Sequence, residues 1–147
     1  MPKRTLPRIV AVEVGPELLA LQVRWAHGGE SVIDLSGMID TFRVCAPLRR
    51  DPGMFATVKV GELGADIVWN DEIDMAASTL WRLAQEQSGA TMSADAFRHW
   101  RKRKAYTLDS AAQALGLSRR IVAYYDRGAK PIPRTVALAT RALELGL

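Results

Sequence analysis

The sequence predicts an α+β protein: a small antiparallel sheet with one covering helix, followed by a separate all-α domain. Three observations carry that prediction. Short β-branched runs broken by Gly- and Pro-containing turns fill most of the first seventy residues, whereas helical spacing of apolar residues dominates from Met75 onward. Ser88-Gly89-Ala90-Thr91 contains no bulky side chain and separates the two patterns as a linker would. The charge changes sign at the same place, with 11 Lys/Arg against 4 Asp/Glu from Met92 onward and 9 against 12 before it. The predicted domains are therefore 1–87 and 92–147.

The first strand is Arg8 to Val14, ended by Gly15-Pro16, where Gly tolerates a positive φ and Pro fixes its own. Leu18 to Trp25 follows, with Leu19, Leu21, Val23 and Trp25 on one face at period two. Ala26-His27-Gly28-Gly29-Glu30 turns the chain into a third strand, Ser31 to Leu35. Ser36 to Met54 is less regular. Ala56 to Val60 and Ala65 to Trp69 read as a second hairpin around Gly61-Glu62-Leu63-Gly64. Asp74 is placed to cap a helix from Met75 to Gln87, whose Leu80 and Leu83 would cover a sheet face.

Composition narrows the function classes. With 48% apolar and 24% charged residues, the chain reads as globular rather than disordered. No apolar run reaches the roughly 18–20 residues of a membrane span, and the basic start, Met1 to Arg8, lacks the apolar region of a secretory signal. The single cysteine, Cys45, excludes an internal disulfide and a CxxC pair, which points to a reducing cytoplasm. His27 and His99 have no cysteine pair or spaced carboxylates around them for a metal site, and there is no GxSxG, P-loop or GxGxxG. The acidic run Asp71, Glu72 and Asp74 reads as turn and cap. The sequence thus predicts no enzyme, no metal and no cofactor.

The strands around Gly15-Pro16-Glu17-Leu18, the phrase Asp51-Pro52-Gly53-Met54-Phe55, and Ile67-Val68-Trp69-Asn70-Asp71-Glu72-Ile73-Asp74 followed by Leu80 resemble the bacterial family called domain of unknown function 2442. That resemblance, over residues 7–86, implies an α+β fold and supplies no chemistry. Because such domains are found beside toxin-like partners, it also motivates an antitoxin-like alternative in which this half masks another protein.

The most informative segment is 107–128. Thr107 can cap a helix that Asp109 supports electrostatically in its first turn. Ala111, Ala112 and Leu115 give it an inward face, and Gly116 ends it where a left-handed residue is cheapest. Ser118 caps the next helix at once, Val122 and Tyr125 face back onto the first, and Gly128 closes the second. Two helices joined so tightly need a small residue at their contact, and Ala112 supplies it. The spacing of Ala112, Gly116, Val122 and Tyr125 resembles the Cro/CI-repressor type of helix-turn-helix over residues 93–145, with Leu108 standing where that family often has Gln. Before it, Ala94 to Lys104 carries Phe97, Trp100 and Arg101 at helical spacing. After it, Pro133 opens a helix with Val136, Leu138, Ala139, Ala142 and Leu143 toward a core.

The resemblance implies a regulator of transcription that binds duplex DNA. Arg119, Arg120, Ala123 and Tyr124 would then face base edges, and the sequence does not choose which arginine reads a base. Tyr124 is equally readable as a packing tyrosine, and Ile121 as core. Thr107, Ser118, Arg101, Lys102, Arg127, Lys130 and Arg134 are the candidate phosphate contacts, the two hydroxyl residues doubling as caps. One motif reads too few base pairs to select a genomic site, so a homodimer is expected. The Phe97–Trp100 helix, the Met75–Gln87 helix and a sheet edge are the candidate contacts.

Overall fold

The computed structural model describes residues 6–147; Met1 to Thr5, which open the basic N-terminal segment, lie outside the described residues. The fold is α+β, and the chain divides into two compact units, Met1–Gln87 and Ser88–Leu147.

In the first unit, β1 (Ile9–Val14), β2 (Ala20–Trp25) and β3 (Glu30–Asp34) form an antiparallel meander with β2 in the centre. Period-two alternation sets the register, because slipping by one residue would turn every apolar side chain outward. Val23 stands opposite Val12 and Ser31, and Leu21 opposite Val14 and Ile33, so one face is apolar except at Ser31, whose hydroxyl accepts from Trp25 Nε1. Leu19, Leu21, Val23 and Trp25 are all buried, as their spacing predicts.

The irregular stretch after β3 folds as three short helices: α1 (Ser36–Thr41), α2 (Ala46–Arg50) and α3 (Pro52–Phe55). The carboxylate of Asp51 accepts from the backbone N–H of Gly53 and Met54, and Pro52 supplies the first helical position. This capped turn delivers Phe55 to the core, where it stacks on Trp69 at 6.0 Å between ring centroids and accepts a bond from Trp69 Nε1 on its carbonyl.

A second antiparallel sheet contains β4 (Lys59–Val60), β5 (Asp66–Val68) and β6 (Asp74–Ala76). Gly64 turns the chain between β4 and β5 with φ +72°, and a side chain there would fall onto the carbonyl oxygen of Ile9. Here the structure corrects the expected helix start. Asp74 is not a cap: Asp74, Met75 and Ala76 pair with Val68, Ile67 and Asp66, and the helix α4 begins at Ala77 and runs to Ser88. The side chain of Asn70 makes the return by accepting from Glu72 N and Ile73 N. Ala77, Leu80 and Ala84 of α4 join Leu21, Ile33, Leu48 and Ile67 in one core. The amide of Gln87 both accepts from Asp34 N and donates to Asp34 O at 2.8 Å, on the outer edge of β3.

The second unit contains α5 (Ala94–Arg103), α6 (Leu108–Leu115), α7 (Arg119–Asp126) and α8 (Arg134–Glu144). It is not purely helical, since β7 (Thr91–Met92) pairs with β8 (Ile132–Pro133) and ties its beginning to the entry of α8. Ser93 caps α5 and leaves Phe97 and Trp100 wholly inside, packed with Tyr125 and Tyr106 respectively. Those two aromatics are core of their own unit. Ala111, Ala112, Val122, Ile132 and Val136 complete the core. Leu138, expected inside, is 51% exposed, while Thr140 occupies the buried face instead. Among the described residues no helix is long and apolar enough to cross a membrane.

Candidate nucleic-acid interface

The site is built by capping. Thr107 accepts from Ser110 N while Ser110 Oγ accepts from Thr107 N, a reciprocal box that starts α6. Gly116 ends it in the left-handed region with φ +71°, and Leu117 N donates back to Ala112 O at 2.9 Å. Ser118 then accepts from Ile121 N and starts α7, so only Gly116, Leu117 and Ser118 stand between the two helices. Val122 and Tyr125 are buried beneath α7, and its other face carries Arg119, Arg120, Ala123 and Tyr124.

The cations divide into two groups. Each of the four carboxylates in this unit is matched to one arginine: Asp95 with Arg98, Asp109 with Arg119, Asp126 with Arg101, and Glu144 with Arg103. Lys104 donates to Leu143 O near the end of α8, where a cation suits the exposed carbonyls. No anionic partner stands against Lys102, Arg120, Arg127, Lys130, Arg134 or Arg141 among the described residues.

Three of these unmatched cations meet on one ring. Arg127 lies 4.7 Å, Lys130 5.1 Å and Arg120 5.6 Å from the ring centroid of Tyr124. The Tyr124 hydroxyl also accepts from Arg120 Nε at 2.9 Å. A half-buried aromatic face attracts each cation singly. The three repel one another, so their gathering is a local cost that a bound anion would relieve.

The structure places the other candidate residues as follows. Arg101 does not face solvent as a phosphate contact would. It holds Asp126 with two bonds of 2.7 and 3.2 Å and donates a third to Tyr106 O, with both charged side chains less than a fifth exposed. Its chemistry is that of an internal clamp on the end of α7, joined there by Arg98 donating to Asp126 O. Arg119 is exposed but engaged, its Nε 3.2 Å from Asp109. Thr107 and Ser118 serve as caps and remain exposed. Lys102 projects from α5, and Arg134 is the first residue of α8, an unfavourable place for a cation beside the positive helix end. Sequence reasoning missed the roles of Asp109 and Asp126 as arginine partners. Asp126 and Arg101 are 25 residues apart, so no local spacing announces them. No group of three His, Cys, Asp or Glu among the described residues could hold a metal ion.

The arrangement defines a small, mainly helical unit, in which two short helices are joined by a three-residue turn, following an α+β unit in the chain. No protein-family model and no curated protein matches the chain. Among solved structures it is similar to that of "putative DNA binding protein NE0471" from Nitrosomonas europaea ATCC 19718, with 33% identity and a TM-score of 0.55. The match covers 98% of this chain and 90% of that one. The chain belongs to the same family as that protein.

Proposed function

We propose that the chain is a bacterial transcription regulator that binds duplex DNA through a helix-turn-helix of the Cro/CI-repressor type. The observation that carries the reading is the charge balance of the second unit. Its four carboxylates are each matched to an arginine, so the net surplus of seven positive charges has no counterweight within the unit. Of that surplus, Arg120, Arg127 and Lys130 converge on Tyr124 of α7. The DNA binding ascribed to the Nitrosomonas protein points the same way.

Affinity would come from Lys102, Arg127, Lys130 and Arg134 neutralising phosphates and releasing counterions. Selection would come from the exposed face of α7 entering the major groove with its N-terminal residues against base edges. The first unit, a domain of the 2442 type, would serve assembly, and pairing of two copies would place two such helices one turn of DNA apart. This is a binding activity in the cytoplasm, with no catalytic step and no cofactor.

A gel shift with the full chain and a pool of duplex DNA tests it. Binding at low salt that falls by about 10³-fold or more between 50 and 200 mM salt is the expected result for six or more phosphate contacts. Absence of binding at low salt overturns the reading. Sedimentation of the complex tests the dimer, and one copy of the protein per selected site would overturn that part.

A further inference from the structure

The two arginines that open α7 are not equivalent. We propose that Arg120 is the base-reading arginine, that Tyr124 is the positioning residue that aims it, and that Arg119 instead neutralises Asp109. The assignment rests on the DNA-binding reading above and deepens it.

The argument is one of charge and of free donors. An arginine that reads guanine uses two parallel N–H groups of its planar fork on O6 and N7. The Arg120 bond to Tyr124 consumes only Nε, and its acceptor is a neutral hydroxyl. The full positive charge and the terminal guanidinium nitrogens therefore remain available, while one angle of the side chain is restrained in advance. Prior restraint lowers the entropy lost on binding. One helical turn separates the pair, so α7 itself sets the geometry.

Arg119 is differently situated. Its Nε stands 3.2 Å from a carboxylate oxygen of Asp109, and Asp109 lies in the first turn of α6. Turning Arg119 toward a base would release an acidic group close to the phosphates of any duplex against α7. The ion pair is exposed and weak in isolation, with side chains 64% and 74% accessible. Its worth to binding would lie in cancelling a repulsion. Arg127 and Lys130, on the ring of the same tyrosine, have no anionic partner and are left for phosphate.

The test uses the full chain. A duplex selected by the wild type from a random pool and a scrambled duplex are titrated by fluorescence anisotropy, with thermal melts confirming that each variant is folded. Arg120→Ala is expected to lose about tenfold or more on the selected duplex and little on the scrambled one. Tyr124→Phe, which keeps the ring, should reduce the ratio of the two affinities in the same direction while leaving scrambled binding in place. Arg119→Ala should weaken both duplexes alike, and adding Asp109→Asn should restore both. If Arg119→Ala erases the ratio and Arg120→Ala does not, or if Tyr124→Phe leaves the ratio unchanged, the assignment is overturned while the DNA-binding reading stands. A wild type that binds duplex DNA without selecting overturns this assignment alone, and one that binds no duplex overturns the DNA-binding reading with it.

Discussion

Arg101→Ala separates an internal role from a DNA-contacting one. Arg101 and Asp126 form a two-bond pair with side chains only 17% and 18% exposed, and the same guanidinium donates to Tyr106 O. Breaking a fully buried pair by removing one partner costs about 3–5 kcal/mol, because the remaining charge is stranded away from water. An exposed pair is worth about 0–1 kcal/mol. With most of each side chain covered but water still reaching both, the expected loss is about 2–3 kcal/mol. The damage should concentrate where the pair ties the end of α7 to α5. Hydrogen exchange of the full chain, resolved by peptide, reads that directly. Amides of the Ser88–Leu147 unit that open with its global unfolding should exchange roughly 30- to 140-fold faster, as each 1.4 kcal/mol is a factor of ten. Arg101→Lys should recover little, since an ammonium cannot hold a carboxylate bidentately and reach Tyr106 O as well. Unchanged protection together with weakened binding to every DNA sequence would refute the reasoning and return Arg101 to the phosphate contacts.

Further outcomes follow from backbone and burial. Gly64→Ala combines a left-handed residue with a side chain driven onto the Ile9 carbonyl, so it should cost about 3 kcal/mol in urea denaturation, as strain of about 1–2 kcal/mol adds to overpacking. Gly116→Ala has the same kind of backbone but open space around the new carbon, so only about 1–2 kcal/mol should be lost; equal losses at the two positions would contradict the steric account. Cys45 is buried and burial pushes its thiol pKa up, so the folded chain should react with a thiol reagent at neutral pH far more slowly than the urea-unfolded chain; similar rates would show the site to be open. For Asp34 the bonds from Ser36 hold the carboxyl below its usual range, so its small, largely solvent-screened stabilisation is present above the unfolded pKa and fades as pH falls through the folded one. Asp34→Asn should flatten the acid limb of a pH melt below about pH 4, and an unchanged limb would count against it.

How much of this was legible in the sequence depends on how local each cause is. The alternation of Leu19 to Trp25 and the run Thr107–Gly116–Ser118 are self-contained, and both produced the expected element with the expected buried residues. The stretch from Ser36 to Phe55 was opaque because its helices are four to six residues long, too short to show a period. Asp74 misled for a different reason. An Asp before a helical pattern looks like a cap, but pairing with Asp66–Val68 governs those residues, and the pairing partner lies across a turn made by Asn70. Leu138 fits the apolar spacing of its helix, yet the core takes Val136 and Thr140 on the face that turns inward. At the candidate interface, the exposed face of α7 could be read from the motif, whereas the partners of its arginines could not. Asp109 and Asp126 become significant only when folding brings them to Arg119 and Arg101.

The placement of Gln87 has a consequence for how the chain behaves in a crowded solution. A strand at the margin of a sheet offers unpaired N–H and C=O groups, and a strand from another molecule can add there. On β3 the last such pair, at Asp34, is already taken by the amide of Gln87, which donates and accepts as a peptide group would. One side chain from a helix thus occupies the rung from which an intruding strand would begin to pair. Glu30, at the other end of β3, draws Gln22 and Arg24 across the outer face of the sheet, so a strand approaching that end meets charge. On this edge the molecule closes its sheet from within, with a helix residue standing where a further strand would otherwise pair.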